Sequence, residues 1–247
     1  MEADGKTEGE HIEPALYLIP NTLGDAPLDR AFPPFNALLV RHIRHFIVES
    51  RKPAVRLLSR LCADFPADEC EFAELSEHTA RNADLSRLLL PLERGEQMGV
   101  ISDAGCPAVG DPGSRAVALA HKKRLTVVPL VGPNAMLLAL MSSGLNGQNF
   151  AFNGYLPAKP GEREAAIRRL ESRARKEKQT QLFIETPYRN QKLFDALIKT
   201  CRADTRLCVA QGLTTADELI RTKKIADWKA SSPPAFEKIP AMFLICP

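Results

Sequence analysis

Several features that would define a function class are missing from this chain of 247 residues. The longest apolar runs, such as VVPLV and LLALM, are far too short to cross a bilayer, so no membrane span is expected. The six cysteines form no CxxC pair, which disfavours a zinc site and a disulfide framework, and we expect no metal. Neither GxGxxG nor the phosphate-binding GxxxxGKS/T pattern occurs, which argues against nucleotide binding through those motifs.

The N-terminal segment also lacks an apolar region. Residues 1–14 are acidic and polar, which is typical of a disordered tail and not of a secretory signal, so we expect a cytoplasmic protein. The charge is divided unevenly along the rest of the chain. Up to Phe150 there are 15 Lys and Arg against 19 Asp and Glu, and beyond it 18 against 11. Such asymmetry is compatible with binding of a polyanion such as RNA, and equally with a solvated helix face.

Short apolar segments alternate with helical patterns over the first part of the chain, which predicts an α/β domain with a mostly parallel sheet. The predicted strands are 15–19, 46–49, 71–75, 98–102 and 125–131, and the predicted helices are near 36–45, 52–63, 81–94, 114–123 and 133–143. The Gly/Asn-rich segment SGLNGQN then marks a boundary, followed by a second series of strands and helices. We therefore predict two α/β domains, at residues 15–147 and 148–247.

Two loops stand at the ends of predicted strands, where ligands bind in open α/β sheets. DAGCPAVGDPG (103–113) combines three glycines, two prolines and two carboxylates, which favours a rigid loop with an accessible backbone. VGPNAM (131–136) joins a strand to a helix that Asn134 could cap. Taken alone, both loops also fit structural turns, in which Asp111 would cap the next helix.

At these two loops, which follow one another in the same order, the chain resembles the bacterial 16S ribosomal RNA 2′-O-methyltransferases of the tetrapyrrole methylase superfamily. The resemblance continues through FAFNGYLPAKPGER, IETPYRN, LTTADELIRTK and PAMFLI, and so covers nearly everything from residue 15 onward. It implies two α/β domains, a homodimer and S-adenosylmethionine (SAM) bound in a cleft between the domains. The cofactor-binding residues that it implies are Asp103, Gly105, Cys106, Pro107, Val109, Gly132, Pro133, Asn134, Ala135, Tyr155 and Leu156.

The chain departs from the family pattern in the two loops that face the substrate in the family. The ribosomal enzymes carry an ATPxGN-like loop after the first strand, where this chain has LIPNTLGD. They carry an AEDTR-like stretch after the second strand, where this chain has VESRK. The resemblance and the basic stretch KPGER together indicate a set of substrate-binding residues: Pro20, Asn21, Glu49, Arg51, Lys159, Arg163 and Arg189.

Methyl transfer to a hydroxyl is helped by a group that takes its proton, and Glu49, Asp103, Asp111 and Glu185 are carboxylates in or near the recognised loops. Each has an alternative role, since Glu49 and Glu185 could pair with Arg51 and Arg189. Three functions stay open: a methyltransferase acting on ribosomal RNA, a methyltransferase acting on a small tetrapyrrole-like molecule, and a SAM- or RNA-binding protein without catalysis.

Overall fold

The computed structural model describes residues 12–75, 85–111, 113–236 and 239–247. The chain forms two compact units. Of the described residues, the first unit comprises those up to Thr22 and those within Pro27–Pro133, and the second comprises Leu23–Ala26 and those within Asn134–Pro247. Among the described residues, no helix is long and apolar enough to span a membrane.

The first unit is built on a parallel sheet. Its strands are β1 (Leu16–Leu18), β2 (His45–Val48), β3 (Glu71–Glu74), β4 (Met98–Ile101) and β5 (Val127–Pro129), in the order β3-β2-β4-β1-β5. Its helices are α1 (Pro34–Val40), α2 (Arg51–Leu61), α3 (Leu85–Leu88), α4 (Leu90–Glu93) and α5 (Ser114–Lys122). Every strand pair is parallel, so all five strands end at the same edge of the sheet.

Both faces of this sheet are covered, as expected for a parallel sheet. Helix α2 buries Ala54, Leu57 and Leu58, whose spacing places them on one side of the helix against Phe46 and Val48. On the other face, Ala116 and Ala120 of α5 pack with core residues of β1 and β4. The order of strands and helices predicted from the sequence is confirmed over the described residues. The helix predicted near 81–94 is observed as the two short helices α3 and α4, and residues 81–84 lie outside the described residues.

The second unit contains a mixed sheet in the order β6-β7-β10-β8-β9. Its strands are β6 (Phe150–Tyr155), β7 (Thr180–Glu185), β8 (Arg206–Gln211), β9 (Leu219–Lys224) and β10 (Ala241–Cys246). Its helices are α6 (Ala135–Ser143), α7 (Pro160–Glu177), α8 (Asn190–Thr200) and α9 (Ile225–Lys229). Strands β6 and β7 are parallel, and the remaining pairs are antiparallel.

The core of the second unit lies under α7, α8 and α9. Trp228 is 2% exposed, donates its indole N–H to the Leu207 carbonyl at 2.9 Å, and meets the Phe194 ring edge-on. The opposite face of the sheet is covered by α6, whose Ala139 and Leu140 pack with residues of β7, β8 and β10.

Two boundaries differ from the sequence-based expectation. The compact units divide at Pro133 and Asn134, before α6, and not at residues 147 and 148. The physical reason is that α6 packs on the second sheet, while the Gly/Asn-rich segment only ends that helix. Residues 1–11 of the predicted tail lie outside the described residues. The next residues of the predicted tail, however, are joined to the first unit, since the Tyr17 hydroxyl donates to the Glu13 carbonyl at 2.7 Å.

Candidate active site in the strand-end loops

The loops after β1, β4 and β5 meet because these strands are neighbours in the first sheet. β1 lies between β4 and β5, and all three are parallel. The loop after β2 reaches the same edge, since β2 borders β4. The carboxyl edge of this sheet therefore collects most of the residues that the sequence indicates for cofactor binding.

The loop after β4 has an unusual backbone. Gly105 and Ala108 have φ values of 69° and 66°, in the left-handed region that disfavours a side chain such as that of Ala108. Gly105 also forms an isolated antiparallel bridge with Asn21, with N–H to carbonyl distances of 2.8 and 3.1 Å. The bridge attaches this loop to the loop after β1 and fixes the direction of its peptide groups.

The loop after β5 packs closely on the loop after β1. A β-carbon at Gly132 would lie 2.5 Å from the Pro20 β-carbon, so only glycine permits this approach. The Asn36 side-chain amide donates to the Val131 carbonyl at 2.9 Å, and the Cys106 thiol lies 3.6 Å from the Pro133 carbonyl oxygen. The two predicted cofactor loops are thus joined within the first unit.

The loop after β2 contacts the same region. The Glu49 carboxylate accepts the Asp103 backbone N–H at 3.0 Å, and the Ser50 hydroxyl donates to the Asp103 carboxylate at 2.9 Å. Arg51 is directed elsewhere: its guanidinium lies 5.4 Å from the centre of the Phe72 ring. Glu49 therefore has a structural partner in the predicted cofactor loop.

Asp111 serves the loop that contains it. Its Oδ1 atom accepts the Gly113 backbone N–H at 2.7 Å. Burial raises the pKa of the Asp111 carboxyl above its usual range, and the backbone N–H groups of Gly113, Ala108 and Val109 oppose that shift. The carboxyl is thus half-buried and held against its own backbone.

The remaining predicted cofactor residues belong to the second unit. The Asn134 side chain accepts the Leu137 N–H at 3.1 Å and caps α6, of which Ala135 is the first residue. The Tyr155 side chain is 58% exposed, whereas Leu156 is buried in the core under α7. Leu156 can therefore offer a ligand only its backbone.

The buried Glu185 forms an ion pair with the partly exposed Arg189, as the alternative interpretation of the sequence predicts. Glu185 is 1% exposed, and its Oε1 atom accepts from the Arg189 guanidinium at 2.6 Å and from the Thr186 N–H at 2.7 Å. Arg163 is also buried, at 6% exposure, while Lys159 is exposed beside Glu162. Among the basic residues indicated for substrate binding in this unit, only Lys159 is fully presented to solvent.

Sequence reasoning missed two residues of this edge, Ser50 and Asn36. Ser50 precedes α2 and resembles an ordinary helix N-cap, although its hydroxyl instead bonds to Asp103. Asn36 is a buried polar residue within the otherwise apolar helix α1, a signal that could have indicated a required hydrogen bond.

The chemistry of the edge suits a nucleoside-containing ligand. Asp103 presents an exposed carboxylate that can accept hydrogen bonds from hydroxyl groups. Val109 and Val131 are 47% and 70% exposed, which is apolar surface of the kind that ligand-binding sites use. These residues fit SAM, with its ribose hydroxyls and aromatic base.

Comparison with known proteins identifies the class of this chain. The family model for tetrapyrrole (corrin/porphyrin) methylases matches residues 42–228. A solved structure of the methyltransferase CobJ aligns with a TM-score of 0.58 and 17% identity, covering 94% of both chains. The uroporphyrin-III-C-methyltransferase of Thermus thermophilus aligns with a TM-score of 0.52 and 15% identity, over the same share of each chain. At these identities, the structural likeness concerns the fold alone.

Closer relatives appear among proteins of known sequence. The ribosomal RNA small subunit methyltransferase I of Mesorhizobium japonicum is 32% identical over 233 residues, which cover 92% of this chain and 75% of that protein. The protein of the same name from Pseudomonas aeruginosa is 30% identical, covering 87% of this chain and 73% of its own length. The chain belongs to the tetrapyrrole methylase family and is a SAM-dependent methyltransferase.

Proposed function

We propose that this methyltransferase transfers the methyl group of SAM to a ribose 2′-hydroxyl of small-subunit ribosomal RNA in the cytoplasm. The observation that carries this proposal is the similarity to ribosomal RNA small subunit methyltransferase I over 92% of the chain. The basic second half of the chain agrees with a polyanionic acceptor.

The cofactor in this proposal is held by the loops after β4 and β5. Asp103 accepts from the ribose hydroxyls, and the backbone from Gly105 to Val109 and at Gly132 and Pro133 supplies further contacts. The resemblance also assigns Asn134, Ala135, Tyr155 and Leu156 of the second unit to cofactor binding. Leu156 could contribute only its backbone, because its side chain is buried in the core. The bound SAM supplies an electrophilic methyl group on a sulfonium centre.

The protein's main contribution to the reaction is orientation. The acceptor oxygen forms a bond to the methyl carbon as the sulfur–carbon bond breaks, and the hydroxyl proton leaves to a base or to water. Glu49, Asp111 and Glu185 each bond to backbone or to an arginine within their own unit. We therefore propose that rigid placement of the reactants accounts for more of the rate than a dedicated base.

The acceptor can be identified directly. Purified protein and tritium-labelled SAM are incubated with small ribosomal subunits that lack ribose methylation, and in parallel with a metabolite extract. We expect label in the RNA, at a nucleotide whose 3′ phosphodiester bond resists alkaline hydrolysis. Label in a small molecule alone would show that the acceptor assignment is wrong, and no SAM binding by calorimetry would refute the cofactor assignment as well.

The surface for RNA is not the whole of α7. Several of its basic side chains are engaged, since Arg168 pairs with Glu164 and Arg173 with Glu177, each at 3.1 Å. Arg169 and Lys176 are exposed and make no ion pair with any described residue. Double replacement of these two residues by glutamine should weaken RNA binding in filter assays and reduce its salt dependence. Unchanged binding would place the RNA elsewhere.

We also propose that the protein is a homodimer. Phe150 and Phe152 of β6 remain 42% and 37% exposed, and Phe152 lies beside Leu182 of β7 on the sheet face that α6 covers. Met141 of α6 is 79% exposed. Exposed apolar surface of this kind marks interaction sites. Sedimentation should show a dimer that the F152E substitution dissociates, and a monomeric parent protein would refute the proposal.

A further inference from the structure

Three side chains from two neighbouring loops hold the start of the loop after β4. The Asn21 amide donates to the carbonyls of Ser102 and Asp103, at 2.9 and 3.2 Å. The Glu49 carboxylate accepts the Asp103 N–H at 3.0 Å, and the Ser50 hydroxyl donates to the Asp103 Oδ2 atom at 2.9 Å. Asp103 is thereby fixed at its carbonyl, its N–H and its carboxylate.

The hydrogen-bonding capacity of Asn21 is used within the protein. Its side chain is 4% exposed, and its Oδ1 atom accepts the Thr22 N–H at 2.8 Å while its amide reaches Ser102 and Asp103. Its backbone forms the two-way bridge with Gly105. The Asn21 side chain therefore directs no polar atom at a methyl acceptor, although the resemblance places Asn21 in a loop that faces the substrate.

The contact with Ser50 also sets the direction of the Asp103 carboxylate. The hydroxyl engages Oδ2 only, and within the described part of the chain no residue bonds to Oδ1. The side chain of Asp103 is exposed. One carboxylate oxygen is therefore anchored while the other remains able to accept a hydrogen bond from a ligand hydroxyl.

We propose that Asn21, Glu49 and Ser50 are positioning residues that preorganise Asp103 for SAM, and that they do not contact the methyl acceptor. The inference rests on the proposed function, in which Asp103 binds the cofactor. A loop that is ordered before binding costs less conformational entropy when the ligand arrives. Loss of these contacts should therefore weaken SAM binding and leave RNA binding intact.

The test measures the two affinities separately on the full chain. Calorimetry with SAM and with S-adenosylhomocysteine, and filter binding of small ribosomal subunits, are performed on N21A, S50A and S50T. We expect N21A to weaken SAM binding by roughly 10-fold to 100-fold, since it removes two donors to the loop. S50A should weaken it by about 3-fold to 10-fold, because its bond is more exposed. S50T keeps the hydroxyl and should restore the parent affinity.

Two control variants separate positioning from general loss of stability. S59A removes an exposed hydroxyl from the same helix α2 and should leave both affinities unchanged. N190A removes a buried side-chain amide that donates to the Ile239 carbonyl at 2.8 Å in the second unit. It should lower the melting temperature while SAM affinity is retained.

The outcomes are distinct. If RNA affinity falls in N21A and S50A while SAM affinity stays within twofold of the parent, these residues are substrate contacts and the inference is wrong. If the parent protein binds no SAM, the proposed function fails first. Should N21A not fold, the comparison of S50A with S50T still decides, because rescue by threonine requires the hydroxyl itself.

Discussion

Replacing Arg189 with methionine should destabilise the second unit by about 3 to 5 kcal/mol. The Glu185 side chain is fully buried, and its Oε1 atom accepts from the Arg189 guanidinium at 2.6 and 2.9 Å. Without the guanidinium, the one hydrogen bond to the carboxylate that remains among the described residues is the Thr186 N–H at 2.7 Å. A buried charge that loses its partner costs far more than an exposed ion pair contributes, which sets the size of the effect.

The measurement is chemical denaturation followed by fluorescence of Trp228, the single tryptophan, which lies in the core of the second unit. R169M is the matched control, because Arg169 is exposed on α7, and it should change stability by less than about 0.5 kcal/mol. The double variant E185Q/R189M should lose less than the two single variants together, since the charge is removed with its partner.

One result would refute this reasoning. If R189M keeps the stability of the parent protein but binds ribosomal RNA more weakly, Arg189 is a substrate contact, as the sequence resemblance alone implies. The ion pair would then form only when no substrate is bound, and the fold would not require it.

Three further outcomes follow from the contacts described. G132A should lower the free energy of unfolding by about 1 to 3 kcal/mol in thermal denaturation and weaken SAM binding in calorimetry, because its β-carbon meets the Pro20 ring. Unchanged stability would contradict the close approach. D111N should be at least as stable as the parent at neutral pH. The raised pKa of Asp111 means that the native state holds the proton more tightly than the unfolded state, so the stability of the parent falls as pH rises from the unfolded to the folded pKa. Denaturation at several pH values should show that the stability difference between D111N and the parent disappears at acid pH. Single-turnover methylation by D111N near the parent rate would exclude Asp111 as the base. W228F should lower the free energy of unfolding by about 2 to 4 kcal/mol, measured by urea denaturation followed by circular dichroism, because it removes the hydrogen bond to the Leu207 carbonyl and leaves a small cavity. An unchanged free energy of unfolding would mean that the indole hydrogen bond is dispensable.

The sequence predicted the elements of this fold well, for a local reason. Hydrophobic spacing and strand-to-helix alternation are short-range signals, and they placed β1 to β5, α2 and α5 close to their observed bounds. The glycine-rich loop after β4 was also visible as composition. The domain boundary could not be predicted from the sequence. In sequence, α6 continues the alternation of strands and helices of the first unit, and only the folded structure shows that it packs on the second sheet.

What the amino-acid sequence determined by itself is the family, the order of elements and the two loops that stand at strand ends. The tertiary structure decided what individual side chains do. Asn21 and Ser102 are 81 residues apart, and Glu49 and Asp103 are 54 apart, so no local pattern relates them. They meet because β4 lies between β1 and β2 with all three strands parallel, and strand order and register are properties of the folded sheet.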